Sequence, residues 1–265
     1  MNLILLEGLA ICFYLASSYT LIADIKQNRH NNHAVTLAWV AALTHFSAVS
    51  LDTWHSQGLD FSFFHTTSFI ALIIVLLLLV ATLSKPVEKL GVALFPIAAL
   101  MLTLDYAFPS PVQTRQNYSA EMSLHILSSI IAFSLLTIAA VQALLLTLQN
   151  NQLKNHNPGR TMLSLPPLQA MEALLFQIIK TGLFFLSISL LSGLIFIDDL
   201  FAQHLVHKTL LSILAWIMFT ALLIGRNRYG WRGKTAVRWT LYGFFSLLLA
   251  YFGSKLVLEL ILDKV

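Results

Sequence analysis

The stretch MSLHILSSIIAFSLLTIAAVQALLLTLQ, residues 122–149, contains no Lys, Arg, Asp or Glu. A helix crosses a bilayer with about 20 predominantly apolar residues, and this run is longer than that. Its apolar positions are nearly continuous and do not alternate with polar ones, so it is not a strand of an outer-membrane barrel. Outward from it, uncharged runs recur in both directions. They predict helices near 3–23, 34–51, 61–83, 90–107, 122–149, 170–197, 205–225 and 239–260. The links between them are too short to fold as separate soluble domains. The expected fold class is all-α: a polytopic membrane bundle of eight transmembrane helices, forming a single domain over residues 1–265.

Composition agrees with this reading. The 265 residues are 57% hydrophobic and only 11% charged, against about 25% charged in an ordinary soluble domain. A soluble enzyme, a nucleic-acid-binding domain and a disordered chain are all excluded. The lone cysteine, Cys12, lies in an apolar run, so there is no internal disulfide, CxxC pair or CxxCH haem-attachment site. Neither GxxxxGK[ST] nor GxGxxG occurs. No nucleophile, base and orienting group stand at recognisable spacing, and the chain is not expected to be an enzyme. The N-terminus lacks a positive n-region, and no small-x-small cleavage site precedes Asp24, which predicts a retained first helix.

Basic residues set the orientation. Lys26, Arg29, Lys85, Lys89, Lys154, Arg160, Arg226, Arg228, Arg232, Lys234 and Arg238 follow the odd-numbered helices. Only Arg115, Lys208, Lys255 and Lys264 fall on the opposite side, and Lys180 lies inside the sixth helix. Cytoplasmic loops collect Lys and Arg, so both termini are expected outside, in the periplasm of a bacterium whose inner membrane holds the chain.

Six of the nine histidines then fall on the outer side. His55 and His204 lie in loops there. His45, His65, His125 and His207 come from four different helices, at similar depth. Neutral imidazole is the commonest metal ligand, and a six-coordinate haem takes ligands from separate segments. A histidine near a helix end also serves simply to bond a carbonyl or interfacial water. Among the other ionisable groups, Glu7, Asp105 and Lys180 are read as relay groups or as snorkelling and pairing side chains. Asp198 and Asp199 stand where they would pair with Lys208. Ser189 and Gly193 form a small-xxx-small pair suited to close helix packing. The glycines of Gly230-Trp231-Arg232-Gly233 permit a tight turn.

Several of these segments resemble a known family in their order. They are His207-Lys208-Thr209-Leu210-Leu211-Ser212 through Trp216, Gly230-Trp231-Arg232-Gly233, and Ala250-Tyr251-Phe252-Gly253. Leu124-His125 with Ala139-Ala140, Leu190-Leu191-Ser192-Gly193, Pro166-Pro167-Leu168 and His45 add to them. The chain resembles the cytochrome c assembly membrane-protein family, which includes the CcsA, CcmC and HemX types, and within it the YpjD-like branch of bacterial inner-membrane proteins. The resemblance implies haem handling near the outer leaflet, with haem b as cofactor and His125 as iron ligand ahead of His45 and His207. Arg115 and Lys208 would pair with the propionates, since charge-assisted contacts are the strong ones. Expected partners are the lipid bilayer, haem and other cytochrome-maturation or membrane proteins, with no nucleic acid.

The chain departs from the family at three points: Val206-His207-Lys208-Thr209 stands where the family reads Asp-Pro-Lys-Glu, Lys255-Leu256-Val257-Leu258-Glu259 stands where the cytochrome-synthase branch ends in Leu-His-Ser-Tyr-Gly, and a tryptophan motif is missing. Haem-presenting members carry WGxxWxWD between the helices corresponding to six and seven, whereas Asp198 to His204 holds no tryptophan. The expectation is therefore a carrier or accessory in cytochrome c assembly or haem homeostasis. The alternatives are a small transporter or permease component, suggested by Glu7, Lys180 and Asp105, and a non-catalytic membrane scaffold or regulator with structural histidines.

Overall fold

A computed structural model describes residues 3–27, 32–55, 62–108, 120–154, 166–196 and 206–253. All regular structure among them is helical. The elements are α1 (Leu3–Gln27), α2 (His33–His55), α3 (Phe63–Thr82), a 3₁₀ turn (Glu88–Leu90) leading into α4 (Gly91–Ala107), α5 (Ala120–Lys154), α6 (Leu168–Phe196), α7 (Val206–Tyr229) and α8 (Lys234–Leu248). A π-turn, Leu249–Gly253, follows α8. Seven of these helices, α1 to α7, are long and apolar enough to cross a membrane.

The last expected helix differs in its start, and its described part, α8, is not among the helices long enough to cross. It was placed near 239–260, but α8 begins at Lys234 because Gly233, at φ +54, closes the preceding turn and caps the helix. Arg238, read as a loop residue, is therefore helical. Residues beyond Gly253 lie outside the described residues. Helix α5 outruns its apolar stretch at both ends, taking in Glu121 and Lys154.

The helices divide between two compact units, 1–117 with 156–165, and 118–155 with 166–265. In the first unit α1 packs on α2 and α4, while α3 packs on α4 and α2. Alanines make the close approaches possible: Ala34, Ala38, Ala41 and Ala42 of α2 are all fully buried. Small side chains let membrane helices come near enough for dispersion to hold them. Pro96 sits inside α4, where it cannot donate to the carbonyl of Val92. Ser18 of α1 supplies the missing hydrogen bond, its hydroxyl lying 3.2 Å from that oxygen. A freed carbonyl in lipid is costly, and neighbouring Ser and Thr side chains are the usual remedy.

In the second unit α5 lies along α6 and also meets α8; α7 packs on both α6 and α8. Gly182 of α6 admits Leu136 of α5, whose side chain would stand 2.9 Å from an added Cβ. Gly243 of α8 does the same for Phe219 of α7, at 3.0 Å. Gln142 of α5 donates to the Met171 carbonyl of α6 at 3.0 Å, and Trp216 of α7 donates to the Ser187 hydroxyl at 2.8 Å. At one end, Glu172 of α6 and Arg226 of α7 form an ion pair at 2.7 Å, with the guanidinium 4.6 Å above the Phe176 ring.

Candidate functional site

His125 lies in the second turn of α5, half-buried in the second unit. Its Nδ1–H donates to the carbonyl of Ser189 in α6 at 2.9 Å, with the Ser192 hydroxyl 3.3 Å away. The carbonyl accepts only, so this contact fixes the proton on Nδ1 and turns the lone pair outward on Nε2. Among the described residues Nε2 has no partner. The carbonyl lies beside a hydroxyl pair: Ser129 and Ser189 are 2.6 Å apart, and Ser192 also donates to the Ser189 carbonyl. A ring held through Nδ1–H to a backbone oxygen, with Nε2 open, is how proteins orient a metal-binding imidazole. Ser189 was read from the sequence as a packing residue; its backbone orients the histidine as well. Small-xxx-small spacing brings helices close, and that closeness lets a carbonyl of α6 reach a ring on α5.

His45 has a different setting in the first unit. It is fully buried. The Tyr14 hydroxyl of α1 is 3.3 Å from Nδ1 and the Ser68 hydroxyl of α3 is 3.1 Å from Nε2. The Tyr14 ring meets the imidazole edge-on, at 5.9 Å between centroids, and stacks on Phe95 from the other side. Both ring nitrogens are engaged, so this histidine ties α1, α2 and α3 together and offers no open lone pair in this arrangement. Sequence reading missed Tyr14 and Ser68. The only signal available was Ser68 standing three residues after His65, hence near the same face of α3.

His65 belongs to a charged group at the same end of the first unit. Its Nδ1 is 3.3 Å from Asp105 of α4 and 3.9 Å from Asp52 of α2. Glu7 of α1 lies within electrostatic range of all three, and its Oε2 is buried without a hydrogen bond among the described residues. The expected pairing of Asp105 with another helix is thus observed, whereas Asp52 was not anticipated. Lys180 is exposed on α6, as a snorkelling side chain would be. Among the described residues no group of three or more His, Cys, Asp or Glu is arranged to hold a metal ion.

Of the other candidates, His207 is exposed at the start of α7, with Lys208 half-buried beside it. Arg115, His204, Asp198 and Asp199 lie outside the described residues. His125, His207 and Lys208 belong to the second unit, and His45 and His65 to the first.

Seven long apolar helices define a multi-pass helical membrane protein. Residues 29–262 match the family model described as cytochrome C assembly protein, and the chain belongs to that family. It is 29% identical over 259 residues to inner membrane protein YpjD of Escherichia coli (strain K12), covering 96% of this chain and 97% of that one. It is 30% identical over 214 residues to an uncharacterized 28.8 kDa protein in a nifR3-like 5′ region of Azospirillum brasilense, covering 79% and 78%. A more distant match is cytochrome c biogenesis protein CcsA of Chlamydomonas reinhardtii, 24% identical over 182 residues, covering 65% of this chain and 50% of that protein. No solved structure matches.

Proposed function

We propose that this protein handles haem in the bacterial inner membrane, as a carrier or accessory in cytochrome c assembly or haem homeostasis and not as an enzyme, with His125 as an iron ligand. The observation that carries the reading is the Nδ1–H bond from His125 to the Ser189 carbonyl, which leaves Nε2 without a partner among the described residues. Family membership supports it, as do the names of its relatives. The residues fit the group. An imidazole of fixed tautomer with Nε2 open would suit haem iron, and the exposed Leu124, Leu127, Leu191 and Leu194 at this end of α5 and α6 would suit an apolar ring. When bound, haem b would supply a redox-active iron.

The chain's own residues orient the ligand and tune its basicity. Ser189 holds the ring, and the hydroxyls of Ser129 and Ser192 hold the Ser189 strip of α6 in place. His207 is a second candidate ligand, and Lys208 a propionate partner. His45 ranks below both, because ligation would first require giving up Tyr14 or Ser68. The reading includes eight spans with both termini periplasmic. The lack of a tryptophan-rich segment between α6 and α7 favours holding haem over presenting it to an apoprotein. The test is a reduced-minus-oxidised absorbance spectrum of the full chain purified after haem supplementation. A Soret and α-band pair is expected, and a flat difference spectrum overturns the proposal.

A second reading, a permease component, is favoured by the buried Glu7 oxygen, which has no hydrogen bond among the described residues and lies near His65, Asp52 and Asp105. Under it, Glu7→Gln abolishes solute-dependent growth or uptake while leaving the haem spectrum unchanged. Full uptake in that variant contradicts it.

A further inference from the structure

The turn that joins α7 to α8 is built more firmly than a simple connection requires. Gly230 and Gly233 both take positive φ, +65 and +54, a region that glycine enters at no steric cost. The Trp231 N–H donates to the Gly225 carbonyl at 3.1 Å. Its indole lies directly on Gly225, where an added Cβ would overlap the ring. The Trp231 ring also packs on Trp239, at 5.3 Å between centroids. Arg226 is drawn inward to Glu172 and Phe176 and serves the fold.

The remaining cations point away from the interior. Arg228, Arg232, Lys234 and Arg238 are all exposed, and none has an ion pair or side-chain hydrogen bond among the described residues. No Asp or Glu occurs between Arg226 and Leu248. At 100° per residue, Lys234, Arg238, Tyr242 and Phe245 fall within about 80° of one another on α8. Tyr242 is 61% exposed and Phe245 is 60% exposed. One stripe of the helix is therefore cationic over its first turns and apolar for about 10 Å beyond. Membrane topology asks for cations at this end of the helix. It does not ask that several of them gather on one short turn whose indole is packed on Gly225, with no carboxylate nearby in the sequence to offset them.

We propose that this turn and the exposed stripe of α8 bind an anionic glycerophospholipid of the adjacent leaflet. The phosphate and charged headgroup lie against Arg232, Lys234 and Arg238, and an acyl chain runs along Tyr242 and Phe245. Charge complementarity selects the occupant, because basic clusters immediately beside a membrane helix attract anionic lipid. Guanidinium groups match phosphate oxygens in pairs. A zwitterionic lipid offers the same chains without the net charge, so the headgroup decides the preference.

The test is retention of phosphatidylglycerol against phosphatidylcholine by the full chain, released from nanodiscs containing equal amounts and read by native mass spectrometry at low salt. The wild type is expected to retain phosphatidylglycerol preferentially. Each cation removed lowers affinity about fivefold, and R232Q/K234Q/R238Q together lower it by about a hundredfold. The triple variant K26Q/K85Q/K89Q, which removes as many cations from the first unit, is expected to keep the preference. Should the first triple variant fail to fold, Lys234→Gln and Arg238→Gln singly show the fivefold step at exposed positions. Equal retention of the two lipids by the wild type overturns the proposal. Equal losses in the two triple variants also overturn it, since bulk attraction would then be the cause.

Discussion

A histidine's role here follows from how many of its nitrogens the fold consumes. His45 spends both, on Tyr14 and Ser68, and His125 spends one, on a backbone carbonyl. His45→Ala should therefore cost roughly 3 kcal/mol of stability, because it opens a cavity and strands two buried hydroxyls. The check is thermal unfolding of the purified protein in detergent. Ser18→Ala should cost about 1–3 kcal/mol by orphaning the Val92 carbonyl. In a Pro96→Ala background, where residue 96 regains its N–H, the same change should cost much less, and a double-mutant cycle reads that coupling. The sequence showed that several histidines lie toward one end of the helices. It did not show which of them were already bonded, because hydroxyl partners such as Tyr14 and Ser68 are 31 and 23 residues away from His45.

Elements were legible in proportion to their apolar length. Runs such as 61–83 and 90–107 returned as α3 and α4 with ends shifted by a residue or two. Charge marks where apolar solvation must stop, but helical hydrogen bonding continues past that point, as at Glu121 and Lys154. The start of α8 was misplaced for a related reason. Arg232, Lys234 and Arg238 read as a loop by charge, although a positive-φ glycine sets the boundary. The clamp between α6 and α7 was not foreseen, since Glu172 and Arg226 stand 54 residues apart. Glu172→Ala should leave the part-buried Arg226 without its carboxylate and cost about 1–3 kcal/mol, as losing a charge-assisted hydrogen bond does. Unfolding monitored by circular dichroism tests this, and an unchanged midpoint would contradict it. Gly225→Ala should displace the Trp231 ring and cost about 1–3 kcal/mol by overpacking, with a shift in tryptophan emission.

For the whole molecule, the distribution of Lys and Arg predicts that both termini lie in the periplasm. Alkaline phosphatase fused at either end should be active, and a fluorescent protein that needs the cytoplasm should stay dark; the opposite pattern at either terminus would contradict the eight-span reading. Membrane class and family were legible from long uncharged runs and from the order of short motifs. The chemistry was less so, because a ligand is defined by the direction of a lone pair, which spacing along one chain does not encode. The account rests on the open Nε2 of His125. The most direct measurement is the haem absorbance of His125→Ala beside wild type and Thr147→Ala, whose hydroxyl bonds only the Ala143 carbonyl of its own helix, each purified at equal yield after haem supplementation. The account predicts loss of the Soret band, or its shift, in His125→Ala alone. An unaltered band in that variant would contradict it.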